Sequence, residues 1–220
     1  MMKRSAFTML EMVFVIVVLG ILASMAMPRF ERDIQQEAQD NILSAIRYTQ
    51  HLALIDDKQK FDNKKWQRRF WRIVFSTCTG DDKFYMIGSD DDMTGSDNAF
   101  FEKDESALDP QTGKPIFWTN GTDCSDGGDN NSSNDIFLSK KYGIKDISSS
   151  GGCDGATHIA FDHLGRPFHG ADFSNADTAD SAGYMSQECT FTFTLSDDST
   201  FSIKVLPETG YSYIEGQENS

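Results

Sequence analysis

"KRSAFTMLEMVFVIVVLGILASMAMP", residues 3–28, decides how the chain is read. It offers about 20 residues of apolar helix-length sequence, enough to cross the hydrocarbon core of a bilayer. Lys3 and Arg4 precede the apolar run, and one carboxylate, Glu11, sits inside it. It stands near the outer end of the span, and a charge at the centre of hydrocarbon costs about 2.5–3.5 kcal/mol even on the most lenient insertion scales. A cleaved signal peptide, with Ser24-Met25-Ala26 before the cut, and a simple membrane anchor both fit this composition. Neither explains Glu11, and both predict that helical patterning becomes arbitrary after Pro28.

The patterning continues instead. Phe30, Ile34, Ala38, Ile42, Ala45, Ile46, Thr49 and Ala53 recur at steps of four and three, an amphipathic helix stripe. Glu31, Arg32, Asp33, Gln35, Gln36, Glu37, Gln39 and Asp40 fill the other face. One helix of about 50 residues, at 1.5 Å per residue, spans roughly 75 Å. Gly20 and Pro28 are its expected weak points, because each loosens or removes helix hydrogen bonding.

The 220 residues carry a net charge of −14, which argues against a phosphate-binding surface spread over the whole chain. Cys78, Cys124, Cys153 and Cys189 all lie beyond the apolar segment, with no C-x-x-C pair and no histidine at zinc-finger spacing. An even count in an exported domain favours two disulfides out of three pairings. Cys78–Cys189, both bordering strand-like runs, and Cys124–Cys153, pinning a long loop, are the expected pairs.

From Trp71 the signals change to strands. "WRIVFSTC" and "KFYMIGS" flank "TGDD" as a hairpin, and "ATHIAF", "DHLGRP" and a short continuation read as strand, turn, strand. In "ECTFTFTLSDDSTFSIKVLPETGYSYI", Cys189, Phe191, Phe193 and Leu195 alternate with threonines, then Phe201, Ile203 and Val205 alternate after a polar turn. That is an antiparallel hairpin with one buried face, followed by a last short strand at Tyr211–Ile214. The polar stretches 89–97 and 120–135 read as loops. The expected fold class is α+β: a long N-terminal helix packed on an antiparallel sheet.

The N-terminal stretch resembles the type IV pilins and type II secretion pseudopilins. That superfamily has a short basic leader, a cut after a small residue, a Phe at the new N-terminus and Glu at mature position five. Here the cut falls between Ala6 and Phe7, which makes Glu11 that fifth residue; Gly20 and Pro28 also fall where the family carries a helix-loosening Gly and a Pro. Family members usually have Gly where Ala6 stands. The resemblance implies a leader at 1–6, a transmembrane and assembly helix at 7–28, its amphipathic continuation at 29–57 and a periplasmic β-rich domain at 58–220. It implies removal of the leader by prepilin peptidase, methylation of the Phe7 amine, and a single pass through the bacterial inner membrane. Other pilins or pseudopilins in a helical fibre, the inner-membrane assembly platform and membrane lipid are the implied partners. Glu11 would neutralise the Phe7 ammonium of a neighbouring subunit and fix axial register. "AIRYTQHLAL", "IAFDHLGRP" and "FSIKVLPETGYSYI" resemble the GspH/FimT group of minor members, so no enzyme activity is expected.

Two further clusters invite chemistry. In "DDDMTGSDNAFFE", Asp90, Asp92, Thr94 and Gly95 take the first positions of an EF-hand loop, but Phe101 stands where the bidentate Glu belongs. A looser calcium site on Asp90, Asp92 and Asp97 is the remaining expectation, and no other cofactor is expected. "KQKFDNKKWQRRFWR", residues 58–72, is a basic island with interleaved aromatics. Lys64, Lys65, Trp66, Arg68 and Arg69 there suggest either an intramolecular or subunit–subunit patch or single-stranded nucleic acid. FimT-like relatives serve DNA uptake, but an acidic surface repels DNA, so the subunit contact is preferred. His51, His158, His163 and His169 have no nucleophile setting beside them.

Overall fold

A continuous helix, α1, runs from Met9 to Ile55 in the computed structural model, which describes residues 8–58, 66–93, 101–119, 123–124, 131–169 and 183–218; side chains 24–33 lie outside that description. The chain divides into two compact units, Met1–Glu37 and Ala38–Ser220. In the second unit the predicted stripe is the buried face of the helix: Ala38, Ile42, Ala45, Ile46, Thr49 and Ala53 all sit in the core. Ile34 of the same stripe is exposed, and Phe30 falls among the side chains outside the description. Thr49, fully buried, donates its hydroxyl to the Ala45 carbonyl at 2.8 Å, the usual way a mid-helix threonine satisfies itself.

Two four-stranded antiparallel sheets follow. In the first, with order β2-β1-β4-β5, β1 (Trp71–Thr77) and β2 (Lys83–Gly88) form the predicted hairpin, closing at Thr77 opposite Lys83. β4 (His158–Phe161) pairs with β1 and turns back through Gly165 into β5 (Pro167–Phe168). In the second, with order β3-β6-β7-β8, β6 (Cys189–Leu195) and β7 (Thr200–Val205) carry the alternation read from the sequence, and β8 (Ser212–Ile214) closes the edge. The polar strand β3 (Ile144–Gly151) and the short helix α2 (Leu138–Tyr142) before it are new. α2 ends at Gly143, whose φ of 69° is the left-handed stop that favours glycine.

Aromatic contacts weld the sheets together: the ring of Phe75 lies 5.1 Å from Phe191 and 5.5 Å from Phe193. The helix joins them through polar side chains. Arg47 donates to the Ser212 carbonyl at 2.9 Å, and Gln50 Nε2 reaches the carbonyls of Gly165 (2.9 Å) and Thr209 (2.8 Å). Gly210 permits this closure, since a Cβ there would stand 2.3 Å from the Gly165 oxygen.

The disulfides correct the expected pairing. Cys78 bonds Cys124 and Cys153 bonds Cys189, with Cα atoms 5.7 and 5.1 Å apart, rather than Cys78–Cys189 and Cys124–Cys153. Strand register is the reason. Gly151 at the end of β3 lies opposite Cys189, so the turn after β3 delivers Cys153 to that site. A bridge between Thr79 and Asp123 likewise sets Cys124 beside Cys78.

Candidate functional site

Thr8 starts the helix. Its hydroxyl accepts the Glu11 amide at 3.3 Å, which makes Thr8-Met9-Leu10-Glu11 one half of a capping box and puts the Glu11 carboxylate in the first turn, at the positive end of the helix dipole. Beyond it Met9, Leu10, Met12, Phe14, Ile16, Leu19 and Leu22 are exposed on all sides of the helix. A helix apolar all round needs lipid or other helices as its surroundings. Ala6 and Phe7 lie outside the described residues. The helix passes without a break through Gly20, where an added Cβ would meet nothing within 4 Å, and through the backbone of Pro28. Among the described residues no helix is long and apolar enough to cross a membrane; the side chains of 7 and 24–28, part of the expected span, are outside that set.

The described part of the basic island, Lys58 and residues 66–72, makes contacts within the chain. Arg68 is buried and its Nε sits 2.7 Å from Oδ2 of Asp90, which is fully buried. Arg69 donates to the Asp91 carbonyl at 2.8 Å, and Trp66 packs edge-on against Phe70 with centroids 5.2 Å apart. Lys58 bridges Asp56 and Asp91 at 3.0 and 3.2 Å. Arg72, also fully buried, donates to the carbonyls of Arg68 and Phe70. Burial pulls its guanidinium down to about 10, with the positive Arg68 adding to the effect and Asp90 and Glu105 opposing it. Lys64 and Lys65 lie outside the described residues. The described arginines therefore fix the exit of the helix to the loop after β2.

That loop carries the acidic cluster. Carboxylate oxygens of Asp90, Asp92 and Glu105 lie within 4.8 Å of one another. Asp97, the third expected ligand, lies outside the described residues. Glu105 accepts the amides of Asp91 (2.7 Å) and Asp92 (3.1 Å), so it acts as a cap for the turn. A calcium ion here would have to compete with Arg68 for Asp90. Glu105 and Arg72 escaped the sequence reading, because only the register of β1 between β2 and β4 shows where Arg72 points. The Thr8–Glu11 spacing is a capping signature before an apolar run, a local signal that the sequence reading passed over.

Comparison with known proteins adds one match. Residues 1–27 fit the family described as the prokaryotic N-terminal methylation motif. No curated protein and no solved structure matches the chain. The motif, standing ahead of a long helix and two antiparallel sheets, supports the type IV pilin and pseudopilin superfamily and the reading of the chain as a prepilin-type precursor.

Proposed function

We propose that the chain is a minor pseudopilin or pilin-like structural subunit of the GspH/FimT kind, working in a type II secretion pseudopilus or a type IV pilus. The match of residues 1–27 to the methylation motif carries this reading. Prepilin peptidase cuts between Ala6 and Phe7 and methylates the new amine. The helix holds the subunit in the inner membrane with its C-terminal domain in the periplasm until assembly draws it into the fibre. There the exposed apolar face of Met9–Leu22 exchanges lipid for neighbouring helices. Glu11 neutralises the Phe7 ammonium of an adjacent subunit, so two charges that are each costly in an apolar bundle compensate one another and set the register. Two buried disulfides suit an oxidising compartment outside the cytoplasm.

Mass spectrometry of the mature N-terminus tests the processing, and a start at Phe7 with a methylated amine is expected. A start at Met27 would mark an ordinary signal peptide and overturn it. In the same cells Glu11→Ala should abolish incorporation into fibres while the disulfides still form; normal incorporation would remove the register role.

A further inference from the structure

The two sheets part along one side of the second unit, where the edge strand β3 faces the closing end of the β1–β2 hairpin. The gap is tied at both ends. The Ser139 hydroxyl accepts the Lys83 amide at 2.7 Å and donates to the Ile144 carbonyl, joining β2 to the start of β3. Further along, Ser149 donates to the Ala156 carbonyl and the Phe75 amide to the Thr157 carbonyl, both at 2.8 Å. Between these ties remains a cleft of about 80 Å³ with Phe75, Ile147 and Phe191 as its floor and Thr77, Thr157 and Lys83 on its rim. That is room for one short side chain and far below the roughly 300 Å³ of a site for a drug-sized ligand.

The rim carries one cation, Lys83. Lys58, Lys141, Lys145 and Lys204 each pair with a carboxylate. Among the described residues no carboxylate lies within ion-pair distance of the Lys83 ammonium, in a chain of net charge −14. Beside it, among the described residues β3 pairs with β6 on one side only, and Lys145, Asp146 and Ser148 are exposed on it. The outward N–H and C=O groups of an edge strand are a template for another strand. A strand added there would extend the second sheet over the cleft, with every other side chain pointing into the gap between the sheets.

We propose that this cleft docks an extended acidic peptide segment of a partner protein. The segment adds along residues 145–148 of β3 and inserts one Glu side chain. Its methylenes cover Phe75, Ile147 and Phe191, and its carboxylate meets the Lys83 ammonium, with the Thr77 and Thr157 hydroxyls as further donors. The complement is one of charge and of backbone hydrogen bonding, and it stands whether or not the chain joins a fibre.

Fluorescence anisotropy of the full chain in detergent with the labelled, end-blocked peptide SVTETVS tests it. The peptide should bind about fivefold more tightly than SVTQTVS, the difference an ion pair at a partly covered site supplies. Lys83→Met should erase that preference and Lys83→Arg keep it. N-methylation of the peptide backbone should abolish binding of both peptides. Equal affinity for the two peptides on the unaltered chain, or no binding at about 1 mM, would overturn the proposal without recourse to any variant. Displacement of the peptide by butyrate at equal concentration would reveal a small-acid pocket and overturn the strand docking.

Discussion

Arg68 and Asp90 form a buried pair in which neither partner has water to fall back on. Removing one member of such a pair strands the other charge in a poor solvent, at a cost of about 3–5 kcal/mol, whereas replacing both with apolar groups of similar volume is often neutral. Arg68→Ala should therefore destabilise the domain by that amount in urea unfolding, and Arg68→Met combined with Asp90→Leu should recover most of it. Failure of the double change to recover stability would mean that Arg72 depends on Asp90 more than on its own backbone acceptors. These arginines read in sequence as a basic island whose partners stay open, because composition records charge and not destination. The neighbouring carboxylates that claim them lie twenty-two positions away for Arg68 and Asp90, a distance no local pattern bridges. Trp66 was legible only as an aromatic among cations, and its edge contact with Phe70 explains its place as packing.

Elements with apolar runs or alternation were readable from their pattern, and those without were not. The β6–β7 hairpin shows in sequence because each buried phenylalanine is followed by a half-exposed polar residue. β3 does not, since "IKDISSSG" buries Ile144 alone outright and its serines carry no period-two apolar signal. Its strand state comes from the ladder with β6, a tertiary effect overriding weak local preference. The turn after Leu108 is a second element held by polar chemistry. Asp109 accepts the Gln111 amide at 2.8 Å and the hydroxyls of Thr112 and Ser133 at 2.7 and 2.8 Å. Burial works to raise the pKa of this carboxyl, but those hydrogen bonds overcome it and hold it below the ordinary carboxylate value. A carboxylate depressed in the folded state stabilises the fold fully above its unfolded pKa, and that stabilisation is lost as pH falls through the folded one. Asp109→Ala should therefore cost about 1–2 kcal/mol near neutral pH. Urea titrations at about pH 7 and about pH 2 should show the gap between variant and parent closing in acid; a gap of the same size at both would remove the carboxylate from the account.

At the scale of the molecule, the α+β class and the order of helix then strands followed from where the hydrophobic period changes, near Trp71. The division into two sheets and the disulfide pairing did not, because both depend on which strands become neighbours. Peptide mapping without reduction should yield Cys78 linked to Cys124 and Cys153 linked to Cys189, and loss of either bond should lower stability by about 2–4 kcal/mol. Recovery of Cys78–Cys189 would overturn the strand register that delivers Cys153 to Cys189. The Gln50 clasp has a kinetic side. Its two acceptors lie 115 and 159 residues further along the chain, and Arg47 waits for a carbonyl 165 residues away. Contacts of such separation must overcome loop-closure entropy before they are rewarded. The helix face at Ala38–Ala53 therefore stays incompletely covered until the last strand has been made, so the buried half of the helix is the stretch most open to misassociation while the chain folds.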